Sequence, residues 1–280
     1  MILILRKFAR DKSAVLGLFI VLFAITVAVF AEQLAPFPRD AYEAHTDRRL
    51  LPPGGEFVFG TDHLGRDIFS RLILGTRGAL MIGLMVVSLA IVIGVPSGLF
   101  AGYFSGWVSD LIMRVTDIFL SVPQLILALA LAQVLTPSLR SAMLALALTY
   151  WPFFCRIVYA ETRRLKALVF IEALEGLGAG NIRLLFMHIL PNGISPIIIR
   201  ATIGMGFTIL TAAALSFLGM GAPPPDPDWG LAIAESRQYI PEAWWFATFP
   251  GVAIFLVVFG FNLLGDGLRD IVDPRLRRSR

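Results

Sequence analysis

Leu80-Met81-Ile82-Gly83-Leu84-Met85-Val86-Val87-Ser88-Leu89-Ala90-Ile91-Val92-Ile93-Gly94-Val95 lies inside an uncharged run that extends from residue 78 to residue 103. At 1.5 Å per residue a helix of this length exceeds the about 30 Å of hydrocarbon in a bilayer. A soluble core rarely needs a helix that is apolar all round. The run lacks the alternation of a barrel strand, and lipid-facing backbone must satisfy its own hydrogen bonds, so helix is the state it predicts. Further runs near 14–31, 118–135, 141–160, 194–218 and 246–265 raise the count to six. With 57% of its 280 residues hydrophobic and 16% charged, the chain reads as an all-α, polytopic membrane protein.

An even number of spans places both termini on one side, and cations choose that side. Arg6, Lys7, Arg10 and Lys12 precede the first span, and Arg269, Arg275, Arg277, Arg278 and Arg280 follow the last. Arg163, Arg164, Lys166 and Arg183 fill a 161–192 insert. All three regions are therefore expected in the cytoplasm. The organisation that follows is a tail and first span over 1–31, an extracytoplasmic segment over 32–77, a five-span core over 78–266 and a tail over 267–280. In the 32–77 segment six arginines are interleaved with seven acids. Val29-Phe30-Ala31 resembles a signal cleavage site, but the preceding apolar stretch exceeds the about 7–15 residues of a signal core, which favours a retained anchor.

The net charge of +4 reflects this topology, and no basic, aromatic-laced patch points to nucleic acid. No Gly-x-x-x-x-Gly-Lys-Ser/Thr stretch is present to cradle a nucleotide phosphate. None of the six predicted spans holds an acid well inside it, as a proton-coupled carrier would need. His45, His63 and His188 are scattered over segments on opposite sides, and no metal or nucleophile spacing can be assembled from them. Cys155 has no partner within the chain. A secondary transporter and an intramembrane enzyme thus lack the residues that their chemistry requires.

The insert contains Glu172-Ala173-Leu174-Glu175-Gly176-Leu177-Gly178 and ends at Leu190-Pro191. Its composition predicts a helix over 161–177, a break at Gly176, Gly178 and Gly180, and a second helix N-capped by Asn181. Ile182, Leu185, Phe186 and Ile189 recur at helical spacing, and Pro191 marks the end. The two physical readings are an element that lodges in a groove of a partner and a passive connector at the lipid interface.

Glu172-Ala173, Gly178 and Leu190-Pro191 resemble the cytoplasmic EAA signature of permease subunits of ATP-binding-cassette importers, with Leu174 where alanine is usual and His188 where isoleucine is common. His188-Ile189-Leu190-Pro191-Asn192 and Gly60-Thr61-Asp62-His63-Leu64-Gly65-Arg66-Asp67-Ile68-Phe69-Ser70-Arg71-Leu72 resemble the dipeptide, oligopeptide and nickel branch. So do Ser216-Phe217-Leu218-Gly219, Trp229-Gly230, Asn262-Leu263-Leu264-Gly265-Asp266, Leu268-Arg269-Asp270 and Asp273-Pro274-Arg275. Together they cover about residue 60 to residue 275.

The resemblance implies a type I importer permease fold with a cytoplasmic coupling helix, in a bacterial inner membrane, and a non-catalytic role. ATP and Mg²⁺ would be bound by two separate ATPase subunits that press on Glu172, Ala173, Glu175, Gly178, Arg183, His188, Leu190 and Pro191. A sister permease, expected as a heterodimer with a homodimer as the competing assembly, and an extracytoplasmic solute-binding protein complete the implied set. Cofactors on this chain are expected to be none. The cargo implied is a di- or oligopeptide, with nickel or another small solute as the alternative.

Asp62/Arg66 and Asp67/Arg71 are i,i+4 pairs in the acid-before-base order that supports a short surface helix. Such a helix would either dock a binding protein or pack as a lid. The stiff Pro223-Pro224-Pro225-Asp226-Pro227 stretch, with Asp228, Glu235 and Glu242, forms an acidic loop that either meets the same partner or is a structural turn. Thr208, Thr211, Ser216 and Asn262 are the small polar positions proposed to line the pathway, against the commoner use of hydroxyls in helix packing.

Overall fold

The computed structural model describes residues 8–9, 11–136 and 138–272. The chain runs as α1 (Lys12–Val29), α2 (Ile68–Tyr103), α3 (Trp107–Ser121), α4 (Gln124–Val134), α5 (Leu139–Lys166), α6 (Val169–Gly176), α7 (181–192), α8 (Ile194–Phe217), α9 (Trp229–Ser236) and α10 (Trp244–Val272). Among the described residues there is no β-strand beyond two isolated bridges, and α1, α2, α5, α8 and α10 are long and apolar enough to cross a bilayer.

The span expected over 118–135 falls on a bent pair, α3 and α4, which meet at 92° and bring the count of possible spans to six among the described residues. Val122 at the break is extended, with ψ 134°. Pro123 explains it, because its ring disfavours helical geometry in the preceding residue and it has no N–H to continue the ladder. The bent pair as a whole returns the chain to the far end, where Leu139 borders the same cavity as Asp226 and Trp229. The second span also begins earlier than residue 78, at Ile68, because the Asp67 carboxylate accepts from the Ser70 N–H at 2.8 Å and caps the helix.

The densest packing is between α2 and α5. Gly94, Gly98 and Gly102 form a groove on α2, into which the backbone of α5 sinks. A Cβ at Gly98 would stand 2.5 Å from the Cys155 carbonyl oxygen, one at Gly102 2.7 Å from the Thr162 Cβ, and one at Gly94 would collide with the Trp151 carbonyl. Small residues at every fourth position let helices approach where lipid offers no hydrophobic drive between them. Around this seam lie Val86, Ala90, Leu99, Leu146, Tyr150 and Phe154, all buried. The first span packs antiparallel on the last, with Gly17 against the Leu264 amide and Ile20 against Gly260.

One end of the bundle carries the insert. The start of α1 and the end of α10 lie at that same end, since Gly267 abuts Ala14 while Trp245, near the start of α10, bonds the Thr61 carbonyl at the other end. The expectation that the termini and the insert share a side agrees with this geometry for the described residues. Arg6, Lys7, Arg10, Arg275, Arg277, Arg278 and Arg280, and the Asp273-Pro274-Arg275 match, fall outside them.

Gly98→Leu is predicted to force α2 and α5 apart, at a cost of about 1–3 kcal/mol for overpacking. Thermal unfolding in detergent measures it, with Gly78→Ala, which meets nothing within 4 Å, as the neutral control.

Candidate functional site

Two assemblies of polar residues sit at opposite ends of the bundle. At the far end, residues 35–67 and the 223–243 region close into a cap. The expected surface helix over Asp62–Arg71 is corrected: Gly60 and Gly65 at φ +74° and +78° turn the chain back, and the charges point inward. Arg66, 1% exposed, donates from Nε to Asp62 at 2.6 Å and from Nη2 to Glu235 at 3.1 Å. Arg71 does not pair with Asp67; its Nε lies 3.7 Å from Asp62 and its Nη1 donates to the Ala41 and Pro225 carbonyls.

Asp228 caps α9 through the Leu231 N–H at 2.8 Å and accepts from the Ser216 hydroxyl at 2.9 Å, and the Trp229 indole donates to the Leu72 carbonyl at 3.1 Å. These residues pack inward against one another and against the start of α2. Burial raises the Asp228 carboxyl, against the pull of the Leu231 and Ser216 bonds.

Asp62, His63 and Glu235 bring one ligand atom each within 4.8 Å of one another. Arg66 already occupies both carboxylates, so a cation there would face a fixed guanidinium. Burial lowers the His63 pKa despite Glu235 and Asp62, with Arg66 and Arg49 acting in the same direction as burial.

The insert is the second assembly. The helix expected over 161–177 is corrected to two, with a break at Ala167–Leu168. After α6, Gly178 adopts φ +84°, its N–H bonds the Glu175 carbonyl at 2.9 Å, and the Ala179 N–H bonds the Leu174 carbonyl at 3.0 Å. This is a Schellman termination, which needs a left-handed residue at that point, so the glycine break expected there is formed by Gly178. Asn181 is not the N-cap. No side chain caps α7, and the Asn181 amide oxygen lies 3.0 Å from the Tyr103 hydroxyl, which is also 3.0 Å from the Glu175 carboxylate. Lys166 donates to the Tyr103 carbonyl at 2.7 Å, with its ammonium 4.5 Å from the Tyr103 ring centre. Tyr103 thus ties the ends of α2 and α5 to the insert.

Pro191 does not end α7, which runs on to Asn192. Having no N–H, Pro191 cannot bond the Met187 carbonyl, and Leu184–Ile189 widen into a π turn with the Leu190 N–H on the Leu185 carbonyl. The wider turn changes which residues face inward. Leu184, Leu185 and Ile189 are buried, whereas Ile182, expected on the same stripe, is 71% exposed and Phe186 also faces out. With Leu177 at 85% and Met187 at 67% they make an apolar ridge on the outer surface of the insert. Glu172, Ala173, Glu175, Gly178, Arg183 and Pro191 are exposed around it, and His188 and Leu190 are half-buried.

Thr208, Thr211 and Ser216 are buried within the subunit. Thr211 donates to the Phe207 carbonyl at 2.7 Å, and Asn262 is half-buried. Residues missed by sequence reasoning include Tyr103, whose position at the end of an apolar run was its only signal, and Asp117. Asp117 falls one residue before the expected 118–135 span, yet it lies within α3 and is bonded to Arg156.

The chain matches the family described as binding-protein-dependent transport system inner membrane component over residues 94–278, and an N-terminal TM domain of oligopeptide transport permease C over residues 1–53. It belongs to the binding-protein-dependent transport system inner membrane components. Among its relatives, the dipeptide transport system permease protein DppC of Alkalihalophilus pseudofirmus is 44% identical, over 97% of this chain and 89% of that protein. The Escherichia coli K12 DppC is 45% identical, over 97% and 92%, and the di/tripeptide transport system permease protein DppC of Pseudomonas aeruginosa 41%, over 98% and 92%. The fold is similar to an inward-facing MetNI methionine ABC transporter chain, with a TM-score of 0.60 at 20% identity, covering 72% of this chain and 97% of that one. The protein is therefore a non-catalytic, multi-pass membrane subunit of a binding-protein-dependent transporter, whose family implies ATPase and solute-binding partners.

Arg66→Met would leave Asp62 and Glu235 buried without their cation, and a loss of about 3–5 kcal/mol is predicted in detergent unfolding. Because the His63 pKa is lowered in the fold, the folded state binds fewer protons than the unfolded chain below about pH 6.5, so stability falls as pH falls through that range. Melting at pH 5 against pH 7.5 checks the sign, and His63→Gln is expected to flatten the slope.

Proposed function

We propose that this subunit forms one half of the pathway of an ATP-driven importer of di- and oligopeptides, and that the insert transmits the work of the ATPases. The apolar ridge of Leu177, Ile182, Phe186 and Met187 carries the coupling assignment. A monomer seldom leaves such a patch open to water, and here it is ringed by polar residues, as protein docking surfaces are.

Beneath the ridge, Tyr103 and Lys166 join the insert to α2 and α5, so a push on the ridge reaches the tightest helix pair in the molecule. Two ATPase subunits, holding ATP and Mg²⁺, would favour one of two arrangements through contact with Glu172, Ala173, Glu175, Gly178, Arg183, His188, Leu190 and Pro191. The insert and both termini then face the cytoplasm, and the cap faces the solute-binding protein. A sister permease, in a heterodimer, supplies the other wall.

The names of the relatives favour peptide over nickel as cargo. Asn262 is the most accessible of the four pathway candidates, while Thr208, Thr211 and Ser216 would reach cargo only in another arrangement of the helices.

Proteoliposomes carrying both permeases, the ATPases and the binding protein should accumulate dialanine with ATP, stop with vanadate and ignore a protonophore. Ile182→Asp and Met187→Asp should insert normally and lose at least about tenfold of transport-linked ATPase activity, equivalent to about 1.4 kcal/mol of coupling. Unchanged coupling in both variants, or in Gly178→Pro, removes the insert from the transmission path.

A further inference from the structure

α3 has three faces. Ser109, Ile112, Met113, Thr116 and Phe119 pack inward, the Thr116 hydroxyl lying 3.3 Å from the Cys155 sulfur. Leu111, Val115, Ile118 and Val122 form an exposed apolar face, and about 100° round the helix Asp110, Arg114, Asp117 and Ser121 form an exposed polar one. Arg156 of α5 extends onto the polar face and bonds Asp117, both side chains remaining more than half exposed at 53% and 57%.

The height of this pair decides its meaning. Neighbouring Cys155 lies against Gly98, inside the uncharged 78–103 run and five residues from its Tyr103 end, so the ions stand about 7.5 Å inside the end of the run that carries the insert. Arg156 is held by Asp117 rather than extended towards the interface. A charged pair cannot stand against lipid tails without a penalty of several kcal/mol, and intramembrane charges face a bundle interior or a water-filled cavity. Among the described residues nothing covers the pair, whereas the adjoining apolar face suits lipid or a neighbouring helix. The border between the two faces therefore marks where water begins.

We infer that Asp110, Arg114, Asp117 and Ser121, with Arg156, line the translocation pathway, and that Asp117 and Arg156 receive the ammonium and the carboxylate of a zwitterionic peptide in transit. The inference rests on the function proposed above and names the cargo-facing side chains. Each exposed ion offers its counter-charge on the open side, so cargo exchanges one salt link for another without leaving a bare charge at low dielectric. Partial exposure keeps the hold weak, as a transit site requires.

The test uses the complete reconstituted complex in a Cys155→Ala background. Asp110→Cys, Asp117→Cys and Ser121→Cys are expected to react with a hydrophilic cationic methanethiosulfonate and to be protected by dialanine during turnover, while Leu111→Cys and Ile118→Cys stay unlabelled. Unreactive Asp117→Cys and Ser121→Cys, as contact with the sister subunit would give, overturn the inference, and so does labelling confined to the apolar face. Arg156→Gln and Asp117→Asn should each lower dialanine transport at least tenfold. The double variant Asp117→Arg with Arg156→Asp should insert and remain slow; full recovery by this exchange would reduce the pair to a structural tie and refute the cargo role. A wild-type complex that moves no dialanine defeats the peptide reading and this inference together. Wild-type transport alongside unaffected variants defeats this inference alone.

Discussion

The close approach of α2 and α5 is the constraint on which the molecule depends. Two helices in a membrane gain little from excluding water, so they hold together by contact, and contact at this range exists only because Gly94, Gly98 and Gly102 have no side chains. The seam sets the height of every group attached to either helix. It brings Tyr103 beside Lys166 at one end and places Cys155, with Arg156 next to it, level with Gly98, five residues back from that end. A rigid pair with one end in the insert and the other in the cap can move as a body.

The charged residues divide by burial into two kinds. In the cap, Arg66 and Asp62 are sealed from solvent and bonded to each other. Such an arrangement fixes one loop conformation and is intolerant of losing either member. On α3 the charges are open on one side, which holds a structure poorly and suits an encounter. The same residue types thus serve rigidity at one height and exchange at another.

Much of the architecture was legible in residue order. Uncharged length identified the spans, and Gly178 marked the break in the insert, because a left-handed helix end nearly demands that residue. What failed has particular causes. A window opening at residue 118 saw the apolar half of a bent pair and lost Asp110, Arg114 and Asp117, although their spacing with Ser121 is that of one helix face and Pro123 signalled the break. The i,i+4 spacing of Asp62 and Arg66 fits a helix, yet Gly60 and Gly65 around it belonged to a turn. The face of α7 was misjudged because a 3.6-residue template cannot represent a π turn. Long-range partners such as Glu235 leave no trace in a single sequence.

That distance along the chain has a consequence for biosynthesis. Arg66 and Glu235 are 169 residues apart. When α2 enters the bilayer, the guanidinium has only Asp62 beside it, and the carbonyls of Pro225 and Asp226 that will hold Arg71 have not been made. The contacts that complete the cap form only after α8 has been made. Closure of the cap is then a late event, completed only when α9 brings Glu235 to Arg66.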